Sequence, residues 1–278
     1  MSYDNYQLLK TTVDQGVATV TIDNPPINLF DMPMIEELIQ LGRDLEADDD
    51  VRVIIFQSAD PDFFIAHVDI NLIQQQPQAG PDRPVTLNFF HQMLEQFRNM
   101  PKVTIGKVEG RARGGGSELL LALDMRFGAI GKAVFSQPEV ALGIIPGGGG
   151  SARLPRLIGR GRALEVVLGC DDFSAEVAER YGYINRALPA DELSPFVARL
   201  ARRIASFPLE AVALAKAAVD GGDGMTTVGA LLEEEHCFSQ ALATQAAQDS
   251  MVMFMQMGGQ TRAVELELGA AIEEVSTS

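Results

Sequence analysis

A glycine triplet that runs directly into an apolar segment constrains this chain more than any other feature of its sequence. Gly114, Gly115 and Gly116 precede Ser117 and a leucine-rich segment that ends at Leu123. Consecutive glycines allow backbone conformations that are closed to other residues, and they let a ligand approach the main chain closely. A helix that begins at such a turn has first-turn N–H groups without partners in the helix, at the positive end of its dipole. The stretch therefore predicts a main-chain site that stabilises a developing negative charge.

A carboxylate and a second glycine cluster follow the triplet closely. Glu139 comes directly after a Gln-Pro pair, and glycine occupies all of residues 147–150. A buried carboxyl group beside a main-chain anion site can transfer a proton. We therefore interpret residues 109–151 as an oxyanion site with acid–base groups around it.

The distribution of charge also sets this stretch apart. The chain has 278 residues and a net charge of −16, which argues against non-specific binding to nucleic acid. Residues 102–162, in contrast, contain ten basic and four acidic side chains. An anionic ligand held in this region is one interpretation, and arginines on solvated helix faces are the other.

Composition and cysteine content indicate where such a chain would work. With 46% hydrophobic and 22% charged residues, the chain is typical of a folded globular protein. Cys170 and Cys237 are too few for a disulfide framework, which favours a reducing compartment. The first residues lack the pattern of a signal peptide, and no apolar run is long enough to cross a bilayer. We therefore predict a cytoplasmic protein with no membrane partner and, because Cys and His do not cluster, no metal.

Hydrophobic periodicity and turn residues divide the chain into short elements. Turn chemistry at residues 14–16 predicts a β-hairpin, Asp31 can cap a helix, and a short helix is expected to begin near Asp69. Strand, turn and helix recur in residues 51–74 and 102–123, so we predict repeated ββα-like units, and residues 77–84 are predicted to form a polar loop. The predicted strands are residues 6–10, 17–22, 51–57, 102–108, 125–130 and 133–135, and the predicted helices are residues 31–45, 85–98, 117–123, 190–206, 208–220, 226–244 and 245–257.

Several motifs, ordered along about the first two thirds of the chain, resemble those of one family. They are NPPIN at residues 24–28, FFIAHVDI at 63–70, GRARGGGSELLLALDMR at 110–126, FSQPEVALGIIPGGGG at 135–150 and ARLPRLIGRGRALEVVLGC at 152–170. Together they resemble the enoyl-CoA hydratase/isomerase (crotonase) family. The resemblance implies an α/β fold in which residues 1–206 form a crotonase-like spiral of ββα units. It also implies that residues 207–278 form a C-terminal helical region that packs trimers.

The same resemblance implies a role for particular residues. Matching FFIAHVDI places one oxyanion-hole donor at the N–H of Val68, and matching GGGSE places the second at Gly115. Glu118 and Glu139 match the pair of carboxylates with which hydratases activate water and deliver a proton. The residues matched to substrate contacts are Ala66, His67, Asp69, Ile70, Gly114 and Gly143.

The activity implied is reversible hydration of a 2-enoyl-CoA. Coenzyme A enters as part of the acyl-CoA substrate, so no separate cofactor is expected, and the implied assembly is a homotrimer or a dimer of trimers. Four other interpretations are considered. They are an isomerase with Glu139 as its main base, a serine hydrolase using Ser117, a nucleotide-binding protein and a non-catalytic scaffold. The sequence around Ser117 has no G-x-S-x-G motif, which argues against the hydrolase. Neither glycine cluster has the spacing of a nucleotide-binding loop.

Some positions depart from the family pattern. His67 stands where glycine is common, and Asn71 stands where hydratases often have lysine. The segment MFMQMGGQ at residues 253–260 lacks the expected basic cluster. Arg111 and Arg113 are candidates to replace these lost contacts with coenzyme A phosphates. The alternative is an unusual acyl group or carrier, so the sequence does not name the precise substrate.

Overall fold

A computed structural model describes residues 1–75 and 83–277. Most of the polar loop predicted at residues 77–84, namely residues 77–82, therefore lies outside the described residues. The described residues form ten strands and thirteen α-helices. The strands are β1 (Leu9–Asp14), β2 (Val17–Ile22), β3 (Val53–Ser58), β4 (Phe63–Ile65), β5 (Val103–Val108), β6 (Arg111–Arg113), β7 (Met125–Ala129), β8 (Val134–Ser136), β9 (Phe173–Ser174) and β10 (Arg186–Leu188). The helices are α1 (Met32–Ala47), α2 (Ile70–Gln74), α3 (Phe89–Asn99), α4 (Gly115–Ala122), α5 (Gly150–Ile158), α6 (Arg160–Gly169), α7 (Ala175–Tyr181), α8 (Ala190–Ser206), α9 (Leu209–Gly221), α10 (Thr227–Leu242), α11 (Gln245–Gln256), α12 (Arg262–Leu266) and α13 (Leu268–Thr277).

The strands are divided between two mixed sheets. The larger sheet has the order β1-β2-β3-β5-β7-β10, and the smaller has the order β4-β6-β8-β9. The hairpin β1–β2 and the pair β8–β9 are antiparallel, whereas the other paired strands are parallel. Successive strands alternate between the sheets, because β3, β5 and β7 join the larger one and β4, β6 and β8 the smaller. The predicted repeat of ββα units is therefore confirmed, and it forms a spiral.

Apolar side chains cover both faces of the larger sheet. On one face, α8 buries Leu193, Val197 and Ala201 against the sheet. On the other face, the main core encloses α4, and all eight residues of that helix are buried. A helix that is buried on every side is mostly apolar, which explains the run of leucines after Glu118. Its N-terminus is thus held rigidly inside the protein.

Several predicted boundaries were wrong, by three residues or more at both ends of β1 and at the start of α3, and local hydrogen bonds explain the two starts. Strand β1 begins at Leu9 rather than at residue 6, because the N–H groups of Gln7 and Leu8 donate to the Glu37 carboxylate instead of a neighbouring strand. Helix α3 begins four residues later than predicted, because Asn88 caps it by accepting from the N–H of His91. The caps predicted at Asp31 and Asp69 are confirmed.

The chain after residue 206 is helical. Helix α8 ends at Ser206, and α9, α10 and α11 follow as predicted, whereas α12 and α13 were not among the individually predicted helices. Helix α13 returns to α8, where Arg203 pairs with Glu273 and donates to the carbonyl of Gly269 at 3.1 Å. Within the described residues, no helix combines the length and apolar composition needed to cross a lipid bilayer.

Candidate active site

The turn at Gly114 begins the buried helix α4. Gly114 has φ 50° and ψ −123°, a conformation that only glycine adopts readily. Its N–H donates to the carbonyl of Ser136 at 3.0 Å, and its carbonyl accepts from the N–H of Glu118 at 2.9 Å. A Cβ atom at Gly114 would lie 2.8 Å from Glu139 Oε1. The first glycine of the triplet therefore provides both the turn and the space for a carboxylate.

The other two glycines allow a neighbouring segment to pack against the start of α4. A Cβ atom at Gly115 would lie 2.3 Å from Val68 Cγ2, and one at Gly116 would lie 2.6 Å from the Cβ of Ile65. Real Cβ atoms do not approach so closely, so the positions require glycine. The close packing brings Val68 directly against Gly115, the pair matched to the oxyanion hole.

Main-chain pairing orients the segment around Val68. The N–H of Phe30 donates to the carbonyl of His67 at 2.9 Å, and the N–H of Asp69 donates to the carbonyl of Phe30 at 3.1 Å. Because carbonyl and N–H directions alternate along an extended segment, the N–H of Val68 points away from Phe30. The carbonyl of Val68 lies 2.8 Å from Nδ1 of His67. The N–H of Val68 is thus not used in pairing with Phe30, and it lies on a segment that contacts the first turn of α4.

Glu118 is held by the second glycine cluster. Its side chain is 3% exposed, and Oε1 accepts from the N–H of Gly148 at 2.7 Å and of Gly150 at 2.9 Å. A Cβ atom at Gly148 would lie 2.4 Å from Phe90 and 2.5 Å from Glu118 Oε2, so only glycine fits. Burial raises the pKa of Glu118, and the two N–H donors oppose that shift. The sequence indicated the cluster but not that it binds Glu118.

Arg153 supports the same loop from outside. It donates to the carbonyl of Gly148 at 3.2 Å and pairs with Glu95 of α3. The charges of His91 and Arg153 lower the pKa of Glu118, against the larger effect of burial. This support was missed in the sequence, because Glu95 and Arg153 are 58 residues apart and neither lies in a catalytic motif.

Glu139 begins a short 3₁₀ turn, Glu139–Leu142, after β8. Burial, opposed by its own backbone N–H and reinforced by the charge of Glu118, raises its pKa from 4.5 to about 7. A carboxyl group with such a pKa exists in both protonation states near neutrality. Gly143 ends the turn with φ 79°, and its Cα faces open space. Of the two acidic residues predicted as catalytic, Glu118 thus lies in the first turn of α4 and Glu139 lies beside Gly114, which precedes that turn.

The remaining predicted contact residues lie along the segment from β4 to α2. Ala66 is buried, His67 is half-buried, and Ile70 is 37% exposed at the start of α2. The Asp69 side chain caps that helix by accepting from the N–H of Asn71 at 2.9 Å. Its carboxylate therefore has a structural function that the motif match did not reveal.

Arg113 has a partner within the chain. Its Nε donates to Asp172 Oδ1 at 2.8 Å, and a second guanidinium nitrogen pairs with the other carboxylate oxygen. Arg111 lies over the ring of Phe63, 5.8 Å from its centroid, and is 4.0 Å from Asp62. Of the two arginines considered as replacements for lost cationic contacts, Arg113 is thus engaged in a bidentate ion pair.

The environment of Ser117 contradicts the hydrolase interpretation. Ser117 is completely buried, and its hydroxyl group is bonded to the phenol of Tyr183. The ring nitrogens of His67 and His236 bond to other groups, and no histidine ring bonds to Ser117 among the described residues. A nucleophilic serine needs such a base, so this interpretation is dropped.

Comparison with known proteins shows the family of this chain. A family model described as enoyl-CoA hydratase/isomerase matches residues 12–260. The chain therefore belongs to the enoyl-CoA hydratase/isomerase, or crotonase, family and has the crotonase fold.

Individual relatives are similar over most of their length. A short-chain-enoyl-CoA hydratase of Clostridium acetobutylicum is 31% identical over 86% of this chain and 91% of its own. A crotonyl-CoA hydratase of Syntrophomonas wolfei is 32% identical over 92% of this chain and 96% of its own. Among solved structures, an enoyl-CoA hydratase of Geobacillus kaustophilus matches with a TM-score of 0.82 at 28% identity, over 90% of this chain and 94% of its own. A protein of Streptomyces avermitilis matches with a TM-score of 0.72 at 40% identity, over 98% of this chain and all of its own.

Proposed function

We propose that this crotonase-family enzyme adds water reversibly to the double bond of a 2-enoyl-CoA thioester. The observation that carries the proposal is the pair of carboxyl groups, Glu118 and Glu139, beside the first turn of α4. The hydratase names of the relatives at 31% and 32% identity support the same reaction.

Two main-chain groups would bind the thioester oxygen. The N–H of Val68 points away from Phe30, and Gly115 begins α4, where first-turn N–H groups lack helical acceptors. The oxygen gains negative charge as the thioester becomes an enolate. Fixed donors aimed at such an oxygen are each worth about 10²- to 10³-fold in rate.

The two carboxyl groups would divide the proton transfers. Both donors to Glu118 bind Oε1, which leaves Oε2 to accept a proton from water as its oxygen attacks Cβ. Glu139, with a pKa raised to about 7, would deliver a proton to Cα and restore the neutral thioester. The dyad carries one proton before and after the reaction, so the same protonation state serves both directions.

The segment from β4 to α2 would line the approach to the thioester. Ala66, His67, Asp69, Ile70, Gly114 and Gly143 are the proposed substrate contacts. His67 replaces a residue without a side chain, so we propose that it narrows the pocket or bonds to the acyl group. Coenzyme A would enter as part of the substrate, and a cytoplasmic location remains a prediction.

The test is product identification with short acyl-CoA thioesters. A trans-2-enoyl-CoA should give the 3-hydroxyacyl-CoA, whereas Glu139→Gln should give none and still bind a saturated thioester. Glu165→Gln is the control, because Glu165 bonds to Tyr181 on the outside of the protein. Conversion of a 3-enoyl-CoA without hydration would favour the isomerase, and no turnover of either thioester would refute the proposal.

We also propose that residues 207–278 form the region through which copies of the chain assemble as a homotrimer or a dimer of trimers. Large apolar side chains on α10 and α11 are exposed in the single chain, which is typical of a surface that another subunit covers. They include Val228, Leu232, Phe238, Val252 and Met255, each more than half exposed. Light scattering on the purified protein should give three or six chains per particle, and a monomer would refute the assignment.

A further inference from the structure

A buried chain of uncharged polar groups leads from the protein interior to Glu139. Tyr183 lies between α7 and β10 and is 1% exposed, while Ser117 and Gln137 are completely buried. The hydroxyl groups of Tyr183 and Ser117 are bonded to each other, and the Gln137 amide lies next to Ser117. Phe135 packs against the Tyr183 ring with the ring centroids 5.7 Å apart. None of these three polar side chains has a role in the reaction proposed above.

The amide of Gln137 has two orientations, and they differ at Glu139. In one, its nitrogen donates to Ser117 Oγ at 3.2 Å and its oxygen faces the Glu139 carboxylate. In the other, its nitrogen lies 3.1 Å from both oxygens of Glu139, and its oxygen accepts from Ser117 Oγ at 3.2 Å. Only the second satisfies both ends of the amide when Glu139 is ionised.

In the second orientation, all the hydrogen bonds from Tyr183 to Glu139 run in the same donor-to-acceptor direction. A serine hydroxyl has one proton, so if Ser117 donates to Gln137, the proton between Ser117 and Tyr183 comes from Tyr183. Tyr183 then donates to Ser117, Ser117 to Gln137, and Gln137 to the Glu139 carboxylate. Hydrogen bonds aligned in this way strengthen one another, and burial removes the competing water.

We propose that Tyr183 and Ser117 are positioning residues that fix the Gln137 amide so that it aims and stabilises ionised Glu139. This positioning role matters for catalysis only if Glu139 acts as in the proposed function, on which the inference rests. The ionisable groups that face Glu139 are Glu118 from α4, Tyr183, and His67, whose Cβ lies near the same Gly114 position. Burial and Glu118 disfavour the ionised form, and the amide counteracts them.

Tyr183→Phe removes the first donor and keeps the ring. Loss of a whole hydrogen bond to a charged group corresponds to about one pKa unit, and Tyr183→Phe only loosens the amide that donates that bond, so the pKa of Glu139 should rise by up to roughly that amount. An infrared titration reads the carboxyl band directly, with Glu139→Gln used to assign it. The upper limb of the kcat/KM profile should move to higher pH by the same amount. Tyr181→Phe is the matched control, since that phenol bonds to the exposed Glu165 carboxylate and not to Ser117.

Ser117→Ala provides a second route if Tyr183→Phe fails to fold. It should raise the same midpoint, and the double variant should shift it no further than the larger single shift, because both act through Gln137. A midpoint that stays at its wild-type value in either folded variant would overturn the proposal. The infrared midpoint requires no turnover, so it decides the positioning role even if the wild-type protein fails to hydrate a 2-enoyl-CoA.

Discussion

Gly114→Ala tests the geometry of the site most sharply. At φ 50° and ψ −123°, a side chain strains the backbone by about 1–3 kcal/mol. The added Cβ would also lie 2.8 Å from Glu139 Oε1, closer than such atoms approach in proteins. The carboxylate must therefore move, and the first turn of α4 must shift with Gly114. We expect a loss in kcat/KM of at least about 10²-fold, the magnitude of removing one oxyanion donor.

Gly131→Ala is the matched control. Gly131 lies in the turn between β7 and β8 with φ 75°, and an added Cβ there meets no atom within 4 Å. Both variants should lose stability by about 1–3 kcal/mol, measured by chemical unfolding, but only Gly114→Ala should lose activity on a 2-enoyl-CoA. The reasoning is refuted if folded Gly114→Ala and Gly131→Ala retain the same fraction of wild-type activity.

Two further predictions concern the carboxyl groups and their support. The pKa of Glu139 is raised from 4.5 to about 7 in the folded protein, so its ionisation weakens folding. The free energy of unfolding of the wild-type protein should therefore fall relative to that of Glu139→Gln as the pH rises from 4.5 to about 7. Thermal unfolding of both proteins measures this difference, and a difference that stays constant over this pH range would contradict the raised pKa. Arg153→Met releases the Gly148 carbonyl and should lower kcat/KM about tenfold or more through displacement of Glu118. Arg156→Met, an exposed arginine on the same helix, should have little effect, and equal losses in the two variants would exclude this role for Arg153.

Local sequence signals predicted most of the fold. The Asp31 and Asp69 caps and the turn at residues 14–16 depend on side chains and glycines within a few residues, so their pattern could be interpreted directly. The starts of β1 and α3 were misplaced because Glu37 and Asn88 redirect backbone N–H groups there. A hydrophobic pattern does not contain that information.

The candidate site was predictable only in part, and the reason is its dependence on distant contacts. Motif matching selected Glu118 and Glu139 as the candidate acid–base pair, but it did not predict that Gly148 and Gly150 would bind Glu118 across about thirty residues of chain. The Arg113–Asp172 pair was equally hidden, since no rule relates two charges separated by 59 residues. Tyr183 gave no signal at all, because a tyrosine near a strand is usually interpreted as core.

The most direct test of the central claim compares wild-type protein with Glu139→Gln on a short trans-2-enoyl-CoA. Loss of the conjugated thioester absorbance and identification of the product measure hydration, and calorimetry with a saturated acyl-CoA measures binding. We predict that the wild-type protein forms the 3-hydroxyacyl-CoA, and that Glu139→Gln binds the thioester with nearly unchanged affinity but does not turn over. Hydration by Glu139→Gln at the wild-type rate would contradict the account.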